Sequence, residues 1–133
     1  MKAVFDTNVL IAAFVSEGLC TKLLIRARKK DFQLILCPNI LDEFGDVLHR
    51  KFSASARETK NARDLIIEAS ESITIPHKSI NGVCRDPQDD HILACAISAK
   101  TDYIVTGDND LLVLGQFEGV KIVTPKAFEM LFV

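Results

Sequence analysis

The chain has 133 residues, of which 48% are hydrophobic and 26% are charged. This length and balance suit one globular domain, residues 1–133, built around one core. The formal net charge of −2 argues against strong binding of nucleic acid over the whole surface. Hydrophobic runs stay well short of the roughly 18 residues that cross a bilayer, and strand-like residues follow Met1 directly. We therefore expect neither a membrane span nor a targeting segment.

The first half of the chain alternates between strand and helix patterns. In chain order, the predicted elements are a strand over 2–5, helices over 9–15 and 21–29, a strand over 33–37, and helices over 38–50 and 55–72. Pro38 suits the first turn of the helix that it opens, because an N–H at that position would lack a helical partner anyway.

The second half continues the alternation. Its predicted elements are a strand over 73–75, a loop over 77–88, a helix over 89–100, a strand over 103–105, a loop with a short turn over 108–114, a strand over 120–123 and a helix over 125–131. Short apolar strands between helices indicate parallel βαβ units. We therefore predict an α/β fold with a parallel sheet of about five strands. Ligands of such sheets bind beyond the carboxyl ends of the strands.

Basic and acidic residues are unevenly distributed along the chain. Residues 22–63 contain ten Lys or Arg and five Asp or Glu, whereas residues 64–133 contain five and eleven. A phosphate-binding surface beside an acidic metal site would give this pattern. Solvated helix faces that happen to differ in charge would give it equally well, and the sequence leaves both interpretations open.

The four cysteines, Cys20, Cys37, Cys84 and Cys95, show no CxxC spacing. Three of them stand in or beside apolar runs. We predict that they are buried free thiols and that the protein works in a reducing cytoplasm.

Two acids follow predicted strands closely. Asp6 comes directly after the first strand, and Asp108 comes shortly after Val105 with Gly107 before it to allow a sharp turn. Each acid also has a structural interpretation, since Asp6 suits a helix N-cap and the segment around Asp108 suits a turn rich in Asp and Asn. The spacing of Asp108 and Asp110 does not make an EF-hand, because the glycine and the closing glutamate are missing.

Glu43 is a candidate because of the helix face on which it stands. Ile40 and Val47 mark the inward face of the helix after the second strand, and Glu43 lies three residues after the one and four before the other. A carboxylate on that face is costly unless it is paired or binds a metal. Asp42 and Asp46 fall on the other side and need no such explanation.

Three acids stand at the start of the apolar helix in the second half. Asp86 precedes Pro87 and suits an N-cap with proline in the first turn. Asp89 shares a helix face with Ile92, whereas Asp90 lies on the neighbouring face. The helix dipole favours an acid at either place, so position alone separates Asp89 from Asp90 only weakly.

These positions bring Asp6, Asp108 and Asp89 or its neighbour to one edge of the sheet, with Glu43 able to reach in. Several carboxylates do not stay ionised together without a cation. Ligand sets made only of oxygen favour Mg²⁺ or Mn²⁺ over Zn²⁺. The sequence therefore predicts one or two of these ions, which in such sites activate water and hold a phosphodiester.

Four segments carry a resemblance to a known family. They are VFDTNVL at 4–10, LDEF at 41–44, DPQDD at 86–90 and YIVTGDNDLL at 103–112. They resemble the PIN domain family, and in particular the toxin component of VapBC-type toxin–antitoxin pairs. The likeness extends from residue 4 to about residue 123. The first and last motifs are specific together, although neither suffices alone.

The resemblance implies a three-layer α/β/α sandwich and endoribonuclease activity that depends on Mg²⁺ or Mn²⁺. The metal-binding and catalytic acids that it implies are Asp6, Glu43, Asp89 and Asp108. The supporting residues are Asn8, Thr106, Asp110 and Asp90. Asp89 is preferred to Asp90 because it precedes the apolar run at the family spacing.

On this interpretation a metal-activated water hydrolyses RNA, and no His, Lys or Ser serves as nucleophile. His49, His77 and His91 show no ligand spacing and suit surface or helix-end positions. Seven cations are candidates to hold the RNA backbone, which would give affinity rather than base choice. They are Arg26, Arg28, Lys29, Lys30, Arg57, Lys60 and Arg63.

The expected partners are RNA, a cognate antitoxin and a second copy of the chain in a homodimer or higher oligomer. One alternative is a catalytically weak PIN-like domain that acts by binding protein or RNA; the intact set of acids argues against it. Another is a phosphate-transferring domain or phosphatase with an aspartyl nucleophile. The turn at Asp6 lacks the second acid of a DxD arrangement, so we rank this alternative lowest.

Overall fold

The computed structural model describes residues 1–77 and 79–133. In chain order its elements are β1 (Lys2–Phe5), α1 (Thr7–Val15), α2 (Leu19–Arg28), β2 (Gln33–Leu36), α3 (Pro38–Phe52), α4 (Ala56–Ala69), β3 (Ser70–Ile73), α5 (Pro87–Ser98), β4 (Tyr103–Val105), α6 (Asn109–Leu112), β5 (Gln116–Phe117), β6 (Val120–Val123) and α7 (Pro125–Glu129), followed by a 3₁₀ turn (Met130–Phe132).

The described strands form one sheet in the order β3-β2-β1-β4-β6-β5. All neighbours pair in parallel except β5 and β6, which are antiparallel. The α/β prediction is therefore confirmed, with one strand more than the five expected. The turn between β5 and β6 places Gly119 at a φ of 86°, which favours glycine. A strand of two residues is too short to show apolar alternation, which is why the sequence does not reveal β5.

Helices cover both faces of the sheet. The chain steps from β1 to β2 to β3 in one direction and then crosses back to β4. Because parallel crossovers are right-handed, α1 to α4 lie on one face and α5 lies on the other. Helix α7 returns to the first face, where it contacts α2. The predicted three-layer sandwich is confirmed, and the change of direction between β1 and β4 creates a topological switch point.

Helices α1 and α2 form a bent pair against this first face. Val9, Leu10 and Ile11 of α1 and Leu23 of α2 are buried in the core. In the described residues no single helix is long and apolar enough to cross a membrane. Only α1 and α2 taken together reach that length and apolar content, and they are bent by 100°.

The third strand lies earlier than the sequence predicts, at Ser70–Ile73 rather than 73–75, and α4 correspondingly ends at Ala69. The N–H and the hydroxyl of Ser70 both donate to the carbonyl oxygen of Ile67 and close the helix. The strand lies at the edge of the sheet, where most of its side chains are exposed. Its composition is therefore polar, so the sequence there lacks the apolar run that predicts a strand.

An ion pair fastens α7 to α2. The guanidinium Nε of Arg26 donates to Oε1 of the buried Glu129 at 2.7 Å, and its Nη1 contacts Asp31 at 3.1 Å. The same guanidinium stacks 4.8 Å from the centre of the Phe132 ring. Phe128 is fully buried beside this pair and packs edge-on against Phe32.

The prediction of four free thiols is wrong for Cys37 and Cys95, which the structure joins in a disulfide with Cα atoms 6.2 Å apart. Cys37 directly follows β2 and Cys95 lies on α5, and only the folded sheet brings them together. Cys20 and Cys84 are free and half-buried. Burial, together with the neighbouring Asp90 carboxylate, raises the pKa of the Cys84 thiol to about 12.

Candidate metal centre

The switch point brings the ends of β1 and β4 side by side. Phe5 pairs with Val105, so the next residues, Asp6 and Thr106, are neighbours. The Thr106 hydroxyl donates to Oδ2 of Asp6 and accepts from the N–H of Asp108 at 2.9 Å. One threonine therefore joins the first and the last of the predicted acids.

Asp6 caps a helix and also lies at the edge of the sheet where the candidate acids were expected. Its Oδ1 accepts from the N–H of Val9 at 2.9 Å and caps α1, while the side chain remains buried at the switch point. Burial raises the pKa of Asp6 above its usual value. The hydrogen bonds from Thr106 and Val9 oppose this rise, whereas the charges of Asp108 and Glu43 add to it.

Asp108 and Asp110 stand at the start of α6. Oδ1 of Asp108 accepts from the N–H of Asp110 at 2.9 Å. One carboxylate oxygen from each of Asp89, Asp108 and Asp110 lies within 4.8 Å of the others. The Arg85 guanidinium donates to Oδ1 of Asp110 at 2.7 Å from the outer side. Asp110 therefore belongs to the tightest group of acids, although the sequence suggested only a supporting place for it.

The two adjacent acids of α5 face different surroundings. Asp90 accepts from the N–H of Gly82 at 3.1 Å and of Cys84 at 2.8 Å, so both of its oxygens hold the loop before α5. Asp89 lines the same cavity as Asp6 and Asp108. Asp86 caps α5 by accepting from the N–H of Gln88, as its position before Pro87 predicts.

Asp89 gives the clearest indication of where a cation would bind. The residue is 6% exposed, and its Oδ2 has no hydrogen-bond partner within residues 1–77 and 79–133. Burial raises the pKa of Asp89 to about 7, and the charges of Asp108 and Asp86 contribute to the rise. An unpaired buried carboxylate is costly, and a divalent cation coordinated by oxygen would remove that cost. The residues present therefore fit a Mg²⁺ or Mn²⁺ ion.

Glu43 lines the same cavity as these acids. It projects from α3 into a cavity of about 380 Å³ that Asp6, Asp89 and Asp108 also line. The structure thus brings all four predicted acids to one cavity, with Glu43 on a different element from the tight group. Asn8, another predicted supporting residue, is exposed at the wall of the same cavity.

The seven cations predicted to hold RNA do not lie together. Arg26 is bound to Glu129 and Asp31. Arg28, Lys29 and Lys30 end α2 and precede β2. They lie at the amino ends of the strands, whereas the acids lie at the carboxyl ends.

The other three predicted cations lie on α4. Arg57 is exposed. Lys60 pairs with Asp64 at 2.9 Å, and Arg63 approaches Asp42 of α3 at 3.9 Å. None of the three lines the cavity that holds the acids.

Two cations at the cavity that holds the acids were not predicted from the sequence. Arg50 and Lys51 on α3 line the same cavity as Glu43. Arg50 donates from Nε and Nη2 to Asp46 at 3.2 and 3.0 Å, which orients its guanidinium along the helix. The available signal was spacing, because Arg50 follows Glu43 by seven residues and so shares its helix face.

The sequence and the fold were compared with known proteins. A family model described as PIN domain matches residues 2–110. No curated protein matches the sequence significantly. A solved structure of VapBC2 from Rickettsia felis, bound to a DNA fragment from its promoter, is similar with a TM-score of 0.68 at 14% identity, over 93% of this chain and 98% of that one. The Mycobacterium tuberculosis toxin VapC20, described as cleaving the sarcin-ricin loop, is similar with a TM-score of 0.57 at 14% identity, over 90% and 98%.

Proposed function

The chain belongs to the PIN domain family, and we propose that it is a divalent-metal-dependent endoribonuclease and the toxin of a toxin–antitoxin pair. On this proposal residues 1–133 act as one nuclease domain. The observation that carries it is the buried Asp89 carboxylate, which has an oxygen without a partner among the described residues and lies beside Asp108 and Asp110 at the switch point.

The acids divide into two groups by position. Asp89, Asp108 and Asp110 would hold one Mg²⁺ or Mn²⁺ ion, and Asp6 and Glu43 would hold a second ion or orient water at the first. When bound, such ions lower the pKa of a water molecule and offset the charge of the phosphate. Thr106 fixes the orientation of Asp6 by its hydrogen bond. Arg50 and Lys51 at the wall of the groove would bind phosphates on either side of the cleaved bond.

The proposal of RNA as substrate draws on the family and on the similar VapC20, which is described as cleaving the sarcin-ricin loop. The proposal of an antitoxin draws on VapBC2, which was solved as a complex bound to promoter DNA. Both similar proteins share this fold at low sequence identity, so the particular RNA and the particular antitoxin have to be found by experiment.

The decisive experiment is RNA cleavage by the purified full chain in Mg²⁺, in Mn²⁺ and in EDTA. We expect cleavage with either ion, none in EDTA, and a loss of at least about 100-fold in Asp6→Asn and Asp89→Asn. Asn caps helices nearly as well as Asp, so Asp6→Asn should keep α1 intact. Glu43→Gln should also lose activity. Its matched control is Glu68→Gln, at an exposed glutamate on α4, which should cleave like the parent chain.

The outcomes separate the two candidate functions. Equal cleavage by Asp6→Asn and the parent chain would refute the proposed site. No cleavage by the parent chain, with no Mn²⁺ binding that Asp108→Ala removes, would favour a binding domain without activity. Growth arrest after induced expression, relieved in Asp89→Asn, would support a toxin.

The proposed partners are tested separately. Co-expression with the protein encoded next to this gene should yield a complex and restore growth if that neighbour is the antitoxin. Light scattering on the purified chain would show whether it forms the expected homodimer or higher oligomer.

A further inference from the structure

Three cavities follow one another along α3 and α5. The cavity that holds the acids shares Glu43, Asp46 and Gln88 with a second cavity of about 320 Å³. The second shares Asn39 and His91 with a third of about 280 Å³. Because neighbouring cavities have walls in common, they form one groove. This groove starts at the metal centre and ends beside the loop before α5.

The chemistry of the groove changes along its length. Asp42, Glu43 and Asp46 line the middle section, which would repel a backbone phosphate. The described residues that line the far section include no Asp, Glu, Lys or Arg; they present polar groups and apolar surface. Its polar side chains are Asn39, Ser79, Asn81 and His91, and its apolar ones include Pro76 and Ile80. A nucleobase has flat apolar faces and a polar edge, so this section suits a base better than a phosphate.

Asn39 and His91 form a defined pair in the far section. Nδ2 of Asn39 lies 3.1 Å from Nδ1 of His91. Either the amide nitrogen donates to Nδ1 of the neutral ring, or, with the amide turned over, the Nδ1–H group donates to the amide oxygen. In both arrangements the pair keeps a donor and an acceptor for a ligand, one on the amide and the other on Nε2. Both residues are exposed, so a ligand in the groove can reach them.

We propose that the Asn39–His91 pair, with Asn81 and Ile80 beside it, binds one nucleobase of the RNA strand and sets a base preference at a fixed position relative to the cleaved bond. A donor and an acceptor held in fixed relation can match the edge of one base better than the others. This inference rests on the proposed nuclease activity. It adds a substrate contact to His91, for which the sequence suggested only a surface position.

The first test compares cleavage sites in a randomised RNA. The full chain, Asn39→Ala, His91→Ala and His91→Gln are incubated with the RNA in Mn²⁺, and the cut ends are sequenced. We expect the parent chain to prefer one base at a fixed position relative to the cut. The alanine variants should lose that preference by on the order of tenfold. His91→Gln should keep part of it, because glutamine also donates.

The preference is a ratio between competing sites in one reaction, so it does not depend on total rate. Asn61→Ala, an exposed asparagine on α4, is the matched control and should keep the parent profile. If the profiles of Asn39→Ala and His91→Ala equal that of the parent, the proposal is overturned.

The second test does not require cleavage. The ring signals of His91 and the side-chain amide signals of Asn39 are followed by NMR, at fixed pH, during addition of adenosine, cytidine, guanosine and uridine, and separately of inorganic phosphate. We expect at least one nucleoside to shift them and phosphate to leave them in place. A shift by phosphate alone, or by nothing, would overturn the subsite. If the parent chain cleaves no RNA, the nuclease proposal fails and this second test decides the subsite by itself.

Discussion

Two adjacent carboxylates of α5 illustrate how neighbours in sequence take different tasks. Both are nearly fully buried. The oxygens of Asp90 accept hydrogen bonds from the N–H groups of Gly82 and Cys84, whereas Oδ2 of Asp89 has no partner among the described residues. A buried acid with two backbone donors stabilises the fold. A buried acid without them is costly when ionised, and a bound cation would remove that cost.

Substitution of each aspartate by asparagine should separate these tasks. Asp90→Asn should lower the free energy of unfolding by about 1–3 kcal/mol, because one oxygen that accepts a backbone N–H is replaced by a donor. Asp89→Asn should leave the stability of the metal-free chain unchanged or raise it, and should remove Mn²⁺ binding. Urea unfolding and isothermal titration measure the two effects. If Mn²⁺ binding were lost only in Asp90→Asn, Asp90 and not Asp89 would be the metal ligand.

The metal-free chain should become less stable as the pH rises. Burial raises the pKa of Asp89 from its ordinary value of about 4 to about 7, and the pKa of Asp6 is raised as well. Between the unfolded and the folded pKa, the native state binds more protons than the unfolded state, so stability present at low pH is lost as the pH rises through this window. In EDTA we expect a higher urea midpoint at about pH 5 than at about pH 7.5.

Asp89→Asn provides the check on that pH dependence. The variant lacks the titrating group with the pKa near 7, so its midpoint should depend less on pH over the same range. A midpoint that rises with pH in the metal-free parent chain would show that the buried acids are not the dominant titrating groups.

At the scale of elements, a glycine lies where α3 packs against α4. A Cβ added at Gly45 would lie 3.4 Å from Cγ2 of Thr59 and 3.5 Å from Cδ of Arg63, which is ordinary van der Waals contact. Glycine inside a helix costs about 0.5–1 kcal/mol relative to alanine. We expect Gly45→Ala to raise the free energy of unfolding by about that amount, as measured by urea unfolding. A loss of stability would mean that the two helices cannot give the small clearance required.

The contact between α2 and α7 depends on charge. Glu129→Gln should lower the free energy of unfolding by about 1–3 kcal/mol, because it removes the buried negative charge that pairs with the Arg26 guanidinium. Asp64→Asn, which breaks the exposed pair with Lys60, is the matched control and should cost no more than about 0.5 kcal/mol. Cleavage per folded molecule should stay unchanged in both variants, since neither pair lines the cavity that holds the acids. Equal losses in the two variants would show that burial adds nothing to the Arg26 pair.

The elements that the sequence predicted well are those with a buried apolar face. Strands β1, β4 and β6 are found at their predicted positions because their interior residues face the core. The elements that it misplaced lie at the two edges of the sheet. Strand β3 is polar and exposed, and β5 has only two residues, so neither presents the alternation from which strands are inferred.

For the whole molecule, local rules located the candidate site but left its details open. Asp6 and Asp108 were found because they follow parallel strands, and the pairing of β1 with β4 makes them neighbours. The separation of Asp89 from Asp90 depends on a loop that folds back onto α5, which no periodicity describes. The predicted cations cluster in the sequence but not in space. Arg28, for example, lies at the amino ends of the strands, whereas the acids lie at the carboxyl ends.

The bond between Cys37 and Cys95 has a consequence for how the chain comes apart. It encloses a segment that carries α3, α4, β3 and the loop before α5. Arg85 in that loop has a side chain that is 83% exposed and offers trypsin a cleavage site. A single nick there should leave residues 1–85 and 86–133 as one species on a non-reducing gel and as two after reductant. Separation without reductant would show that the two sulfurs are not bonded in the purified protein.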